Sequence, residues 1–133
     1  MMPLQIKLMT AAAEAYQAPA VSVLVPTADG YLGIYANHAP LLAKLGVGIL
    51  TVSNESGEEQ KFFIADGSVH IADNVVKVLA DVVEQRSQIN VDRAKESKQR
   101  AEQRLKNAHR EEIDIVRANA SLQRALARIA FCD

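Results

Sequence analysis

The chain has 133 residues, 49% of them apolar and 23% charged, and a net charge of −1. That length fits one ordinary domain or two small ones, and that apolar content excludes a disordered chain. A single cysteine, Cys132, excludes an internal disulfide and a cysteine-built metal site, and no apolar run approaches the ~20 residues of a membrane-spanning helix.

The opening residues, MMPLQIKLMT, lack a charged start followed by a long apolar stretch, so they do not read as a secretory signal. They are not Arg- and Ser-rich either, and no transit peptide is read from them. Within them LQIKLM (4–9) alternates apolar and polar residues, the period of a half-buried strand. VSVLVP (21–26) does the same and is expected to stop at Pro26. Thr27-Ala28-Asp29-Gly30 reads as a turn, because Asp-Gly tolerates positive φ, and YLGIY follows as a short strand. GILTVS (48–53) and QKFFIA (60–65) flank a polar loop, Asn54–Glu59, and read as a hairpin. Asp66-Gly67 is expected to turn the chain into SVHIA, and Asp73-Asn74 to turn it again into VVKVLADVV. Seven or more short strands at this spacing predict an antiparallel sandwich or barrel.

Near residue 88 the texture changes. INVDRAKESKQRAEQRLKNAHR and EEIDIVRANASLQRALARIA contain neither Gly nor Pro and are rich in helix formers. Asn90 is placed to cap the first helix, with Asp92 in its first turn. Polar residues from Asn107 to Glu112 predict a break, hence an antiparallel helical hairpin. Its apolar face is thin: Val91, Ala94, Ala101, Leu105 and Ala108 on one helix, Ile113, Val116, Ala120, Leu126 and Ile129 on the other. Burial stabilises by about 25 cal/mol per Å², while ordering each residue costs ~1–2 kcal/mol. Helices of this size are marginal alone in water. The hairpin is therefore expected to depend on docking, weakly enough to reverse, which makes it a candidate switch.

Charge divides along the same boundary. Residues 1–85 hold four lysines, no arginine and nine acids, a net of −5; residues 86–133 hold eight arginines, three lysines and seven acids, a net of +4. Such a split points to two modules with different partners.

No phosphate-binding loop, nucleophile elbow, H-E-x-x-H or C-x-x-C pattern occurs. His38, His70 and His109 are far apart and lie in different elements, so no metal site is expected. The acids form no evident general acid–base pair, and catalysis is disfavoured. One constellation stands out. Arg93, Arg100 and Arg104 are spaced by seven and four, and Arg117, Arg124 and Arg128 repeat that spacing. Each set returns to nearly one helical face. Two readings stand: solvated faces paired with neighbours such as Glu96 and Glu102, or a site for a polyanion or acidic partner, since guanidinium forks suit phosphate and carboxylate. Nucleic acid is disfavoured, because no aromatics interleave with the basic residues and the chain is slightly acidic.

The stretch from Asp29 to Leu42, DGYLGIYANHAPLL, together with VKVLAD at 76–81 and I-N-x-x-R-A at 89–94, resembles the epsilon subunit of bacterial F-type ATP synthase along essentially the whole chain. The resemblance implies a β-sandwich of about ten strands over residues 1–86 and a two-helix regulatory hairpin over 87–133. It implies a non-catalytic rotor subunit of the central stalk, coupling proton-driven rotation to ATP synthesis, monomeric when isolated. The partners implied are the gamma subunit, the c-ring and, with the helices extended, the alpha/beta catalytic head, where extension inhibits ATP hydrolysis. The location implied is peripheral, on the cytoplasmic face of the bacterial inner membrane.

The gamma and c-ring interface implied by the resemblance contains Tyr31, His38, Ala39, Pro40 and Leu42. Gly30 and Gly33 are expected to permit a tight turn and close backbone approach there, and Pro40 to stiffen the exit. Tyr31 stands where the family usually has an acid, and Ala36 where it usually has proline. No cofactor is required, but some members bind ATP in the folded hairpin. Carried over by position, that site comprises Glu84, Ile89, Asn90, Arg93, Ala94, Arg100, Arg124 and Arg128, with Arg93 and Arg100 on phosphates. Asn90 replaces the motif's aspartate, removing a charge and adding donors. Two other readings remain open on the sequence: a stand-alone module whose hairpin closes on ATP, and a small enzyme.

Overall fold

The computed structural model describes residues 3–107 and 114–133. They form two compact units, residues 1–85 and 86–133. Among the described residues the first unit holds eight strands: β1 (Leu4–Met9), β2 (Glu14–Ala20), β3 (Ser22–Thr27), β4 (Gly30–Tyr35), β5 (Leu41–Lys44), β6 (Val47–Ser53), β7 (Glu59–Ala72) and β8 (Val75–Glu84). They hydrogen-bond in the order β2-β1-β8-β7-β6-β3-β4, with β5 also on β7. The pairing is antiparallel except between β1 and β8.

β7 and β8 fold this sheet into two layers. β7 pairs with β6 through Glu59–Ala65 and with β5 through Ser68–Ile71. Phe62 and Ile64 enter the core at even positions, Val69 and Ile71 at odd ones. Successive strand residues face opposite sides, so the strand must change phase once between Ile64 and Val69. Asp66 (φ 58°) and Gly67 (φ 137°) lie there. On β8 the core positions change likewise, from Val76, Val78 and Ala80 to Val83. Register between the strands is unbroken from Phe63↔Glu84 to Ala72↔Val75, so they bend together. One apolar cluster, from Leu4, Ile6 and Leu8 to Val23, Leu50, Phe62 and Val76, lies between the layers.

Three strand expectations change. Asp66-Gly67 does not reverse the chain: QKFFIA and SVHIA are one strand, and the positive φ expected of Asp-Gly produces a corner instead. Gly is required at 67, because a Cβ there would stand 1.9 Å from the Leu79 carbonyl oxygen. β2 carries Glu, Gln, Ala and Pro, which have low strand propensity; it exists because β1 offers an edge, and at the sheet end Pro19 removes no needed donor. β5 is the LLAK that follows Pro40. The eight strands replace the expected ten, and the expectation is recovered by counting each half of β7 and β8 separately.

Other turns form as read. Asp73 and Asn74 both take positive φ and join β7 to β8 as a two-residue hairpin. Asn54 Oδ1 accepts from Ser56 N (3.0 Å) and Glu58 N (2.9 Å), organising the β6–β7 loop. Thr27 Oγ1 donates to the Gly30 carbonyl at 2.5 Å, closing the β3–β4 turn; β3 runs one residue past Pro26.

The second unit holds a short 3-10 turn (Arg86–Gln88), α1 (Val91–Lys106) and α2 (Ile115–Cys132). Asn90 caps α1 as expected, its Oδ1 accepting from Arg93 N at 3.1 Å, and Asp114 caps α2 through Arg117 N at 3.0 Å. The seam between them is not the aliphatic stripe expected on the second helix. Its buried residues are Ala94 and Ala101 on α1 and Ala118, Ala125 and Phe131 on α2, while Val116 is 80% exposed. Alanines seven apart on each helix let the backbones approach closely, which larger side chains would prevent. Ala108, His109, Glu111, Glu112 and Ile113 lie outside the described residues.

Candidate functional site

Two regions carry the residues singled out in the sequence. The first is the loop between β4 and β5. Asn37 adopts φ 65°, and its backbone N–H donates to Asn74 Oδ1 at 2.5 Å while Asn74 Nδ2 donates to Asn37 Oδ1 at 3.3 Å. The loop is thereby tied to the β7–β8 turn. His38 is half-buried, its Nδ1 2.7 Å from the Ala39 carbonyl oxygen, and Ala39 and Pro40 are exposed. Leu42 projects from β5 at 71% exposure, opposite His70, which is also exposed. His70 and His38 lie on different elements, and no metal-binding group of His, Cys, Asp and Glu occurs among the described residues.

Tyr31 is not part of that loop. It sits at the start of β4, whereas His38 follows the strand's end, and four residues of strand span roughly 13 Å. Tyr31 lies against β6: its Oη accepts from Ile49 N at 3.0 Å, and a Cβ on Gly48 would come 2.4 Å from that oxygen. Nothing in the sequence hints at this Gly48–Tyr31 pairing, because residues 17 apart with no shared pattern become neighbours only through the β3–β6 ladder. Gly33 needs neither positive φ nor close approach: its Cβ would meet only Tyr35, at 3.9 Å. That expectation is corrected, while Gly30, at φ 119°, does make the turn.

The second region is the helical unit. Ile89 is half-buried, its N–H on the Arg86 carbonyl at 3.2 Å, and Asn90 is engaged as the cap. Ala94 is buried in the seam. Arg93, Arg100, Arg104 and Arg117 are exposed; Arg124 and Arg128 are half-buried and engaged within the chain. Glu84 ends β8 in the first unit, whereas the rest of the expected ATP site belongs to the second. Arg86, which the sequence reading did not single out, joins the ends of the helical unit: its Nε donates to the Phe131 carbonyl at 2.8 Å.

The two helices also carry one repeated pattern. RAKESKQRAEQRL (93–105) and RANASLQRALARI (117–129) share R-A-x-x-S-x-Q-R-A-x-x-R followed by Leu or Ile. The arginine spacing was the visible part of a longer repeat. Its equivalent serines meet in the seam, with Ser97 Oγ and Ser121 Oγ 3.5 Å apart.

No helix is long and apolar enough to cross a membrane among the described residues. Residues 3–86 match the family described as ATP synthase, Delta/Epsilon chain, beta-sandwich domain, and residues 87–132 its long alpha-helix domain. A Shouchella clausii protein named ATP synthase epsilon chain is 38% identical over 129 residues, covering 97% of this chain and 94% of that one. A Syntrophomonas wolfei protein of the same name is 41% identical over 107 residues, covering 80% and 77%. Among solved structures, a chain of the Euglena gracilis mitochondrial ATP synthase superposes with a TM-score of 0.86 at 20% identity, over 98% of this chain and 81% of that one. At that identity the superposition speaks for the fold alone. Profiles across both units and relatives along nearly the full length agree with the loop and helix motifs: the chain belongs to the ATP synthase epsilon-chain family.

Proposed function

We propose that the chain works as the non-catalytic central-stalk subunit of an F-type ATP synthase. In that role it turns with the gamma subunit on the c-ring and helps couple rotation to ATP synthesis in the alpha/beta head. It is a peripheral component of a membrane-bound machine, and its face is the cytoplasmic side of the bacterial inner membrane. The β unit makes the standing contacts with gamma and the c-ring, using Tyr31 at one end of β4 and His38, Ala39, Pro40 and Leu42 at the other. The helical unit regulates hydrolysis by moving between a compact and an extended arrangement, in which it reaches the catalytic head.

The single observation that carries this reading is the family membership along both units. The alanine seam supports the switching part. Small buried surfaces contribute little, so a ligand or partner with modest differential affinity can shift the balance. ATP is the proposed ligand of the compact arrangement, held by Glu84, Ile89, Asn90, Arg93, Ala94, Arg100, Arg124 and Arg128. Arg93 and Arg100 take the phosphates.

Deleting residues 88–133 tests the division of labour. A folded β unit that still assembles and couples, with inhibited hydrolysis released, is the expected result; loss of assembly defeats the two-module account. Calorimetry of the full chain with ATP tests the nucleotide part, and no heat at millimolar nucleotide ends it.

A further inference from the structure

The chain crosses from one layer of the sandwich to the other at residues 36–40. β4 hydrogen-bonds to β3 on one side of the crossing, and β5 to the second half of β7 on the other. The crossing itself belongs to no strand. Among the described residues, every hydrogen bond from the crossing to another segment ends on one side chain, that of Asn74. Its Oδ1 accepts from Asn37 N at 2.5 Å, and its Nδ2 donates to Asn37 Oδ1 at 3.3 Å. The remaining contact, His38 Nδ1 with the Ala39 carbonyl, is internal to the crossing and fixes nothing outside it.

Asn74 has a firm footing of its own. It is half-buried, sits at φ 62° in the two-residue turn between β7 and β8, and its carbonyl accepts from Gln5 N at 2.8 Å where β1 begins. Its side chain therefore projects from backbone that three strands hold. Asparagine suits both ends of the contact. It tolerates the left-handed region that Asn37 (φ 65°) and Asn74 occupy. Its amide also carries an acceptor and a donor side by side, as a reciprocal pair requires.

We propose that Asn74 is the positioning residue of the partner-facing loop: it latches residues 36–40 so that His38, Ala39 and Pro40 are presented in the arrangement that the gamma subunit binds. The inference rests on the proposed contact of that loop with gamma, and adds a residue which that contact does not include. A crossing without strand pairing would otherwise give up its freedom only on binding, and that ordering weakens affinity. The two hydrogen bonds to Asn74 order it beforehand.

The test is titration of the full chain against a purified alpha/beta/gamma assembly lacking this subunit, with a thermal melt of each variant. Asn74→Gly removes the latch and keeps the turn. Gly takes φ 62° without strain, Asp-Gly suits a two-residue hairpin, and the carbonyl used by Gln5 remains. Binding about tenfold weaker is expected, the worth of one or two hydrogen bonds, with a melting temperature within about 3 °C of wild type. Asn74→Asp keeps the acceptor, and the Asn37 amide turned over donates to it, so wild-type affinity is expected. Asn37→Asp should bind equally well, since the Asn74 amide still donates. The double variant N37D/N74D sets two carboxylates face to face. It should bind weakly at neutral pH and recover toward wild type as pH falls, when one carboxyl takes up a proton and donates it to the other. A residue needed only for folding would not restore binding in this pattern, and the pH recovery reads the latch independently of the Gly variant.

Wild-type affinity in N74G, N74D as weak as N74G, or N37D/N74D binding normally at neutral pH each overturn the proposal. The double variant H38A/L42A separates it from the interface reading. Weakened binding there beside an unaffected N74G removes the latch alone, whereas wild-type binding by H38A/L42A removes the interface reading and the latch with it.

Discussion

Arg86 engages Phe131 twice. Its Nε donates to the Phe131 carbonyl at 2.8 Å, and its guanidinium carbon lies 5.0 Å from the centre of the Phe131 ring. The carbonyl is one of the last in α2, which have no partner within the helix, and a cation is favourable at that negative end. A residue just after the last strand thus holds the far end of the chain.

Replacing Arg86 by Gln should therefore loosen the end of α2 without touching α1. The expected cost is about 1 kcal/mol, from one charge-assisted hydrogen bond and a partly solvated cation–π contact. Amide exchange checks it: faster exchange confined to the last two turns of α2 is expected, and uniform acceleration through both helices contradicts it.

Asn90→Ala should cost about 1 kcal/mol of helical stability, the usual value of a lost N-cap. Asn90→Asp should cost nothing, because a carboxylate accepts the Arg93 N–H equally well and suits the helix start. Thermal melts of the two variants separate the cap from the side chain's other uses. Equal destabilisation by both would show that the cap is not what matters.

In the β unit the glycines make opposite predictions. Gly67→Ala places a Cβ against the Leu79 carbonyl in a backbone conformation that L residues rarely adopt, so a loss of several kcal/mol or failure to fold is expected. Gly33→Ala should change stability by less than about 1 kcal/mol. Urea denaturation read by far-UV circular dichroism compares them directly.

Gly48 and Tyr31 should behave as a unit. Tyr31→Phe removes the acceptor of the Ile49 N–H and should cost about 1 kcal/mol. Gly48→Ala pushes the ring away and should cost more. In the double variant the two losses should not add, which a double-mutant cycle measures; additive losses would separate the residues.

Much of the fold was legible because it follows period and turn chemistry. The alternation of LQIKLM, the Asp73-Asn74 turn and the Asn90 cap are local signals, and each formed as read. The misses depend on what a segment meets. β2 is a poor strand former that exists through β1. Asp66-Gly67 declared its backbone conformation but not whether a corner or a reversal would result. In the helices, hydrophobicity favoured Val116 and Leu126, while the seam selected alanine for closeness. Of the site, the arginine spacing was plain in the sequence, but the serine contact that pairs the repeats needed both helices in place.

The shared strands have a mechanical consequence. In many sandwiches the layers adhere through side chains alone and can slide when pushed sideways. Here β7 and β8 pass from one layer into the other as unbroken backbone, paired with each other in one register on both sides of the corner. A sideways load on one layer is carried into the other along covalent chain, which suits a part that must transmit torque without creeping.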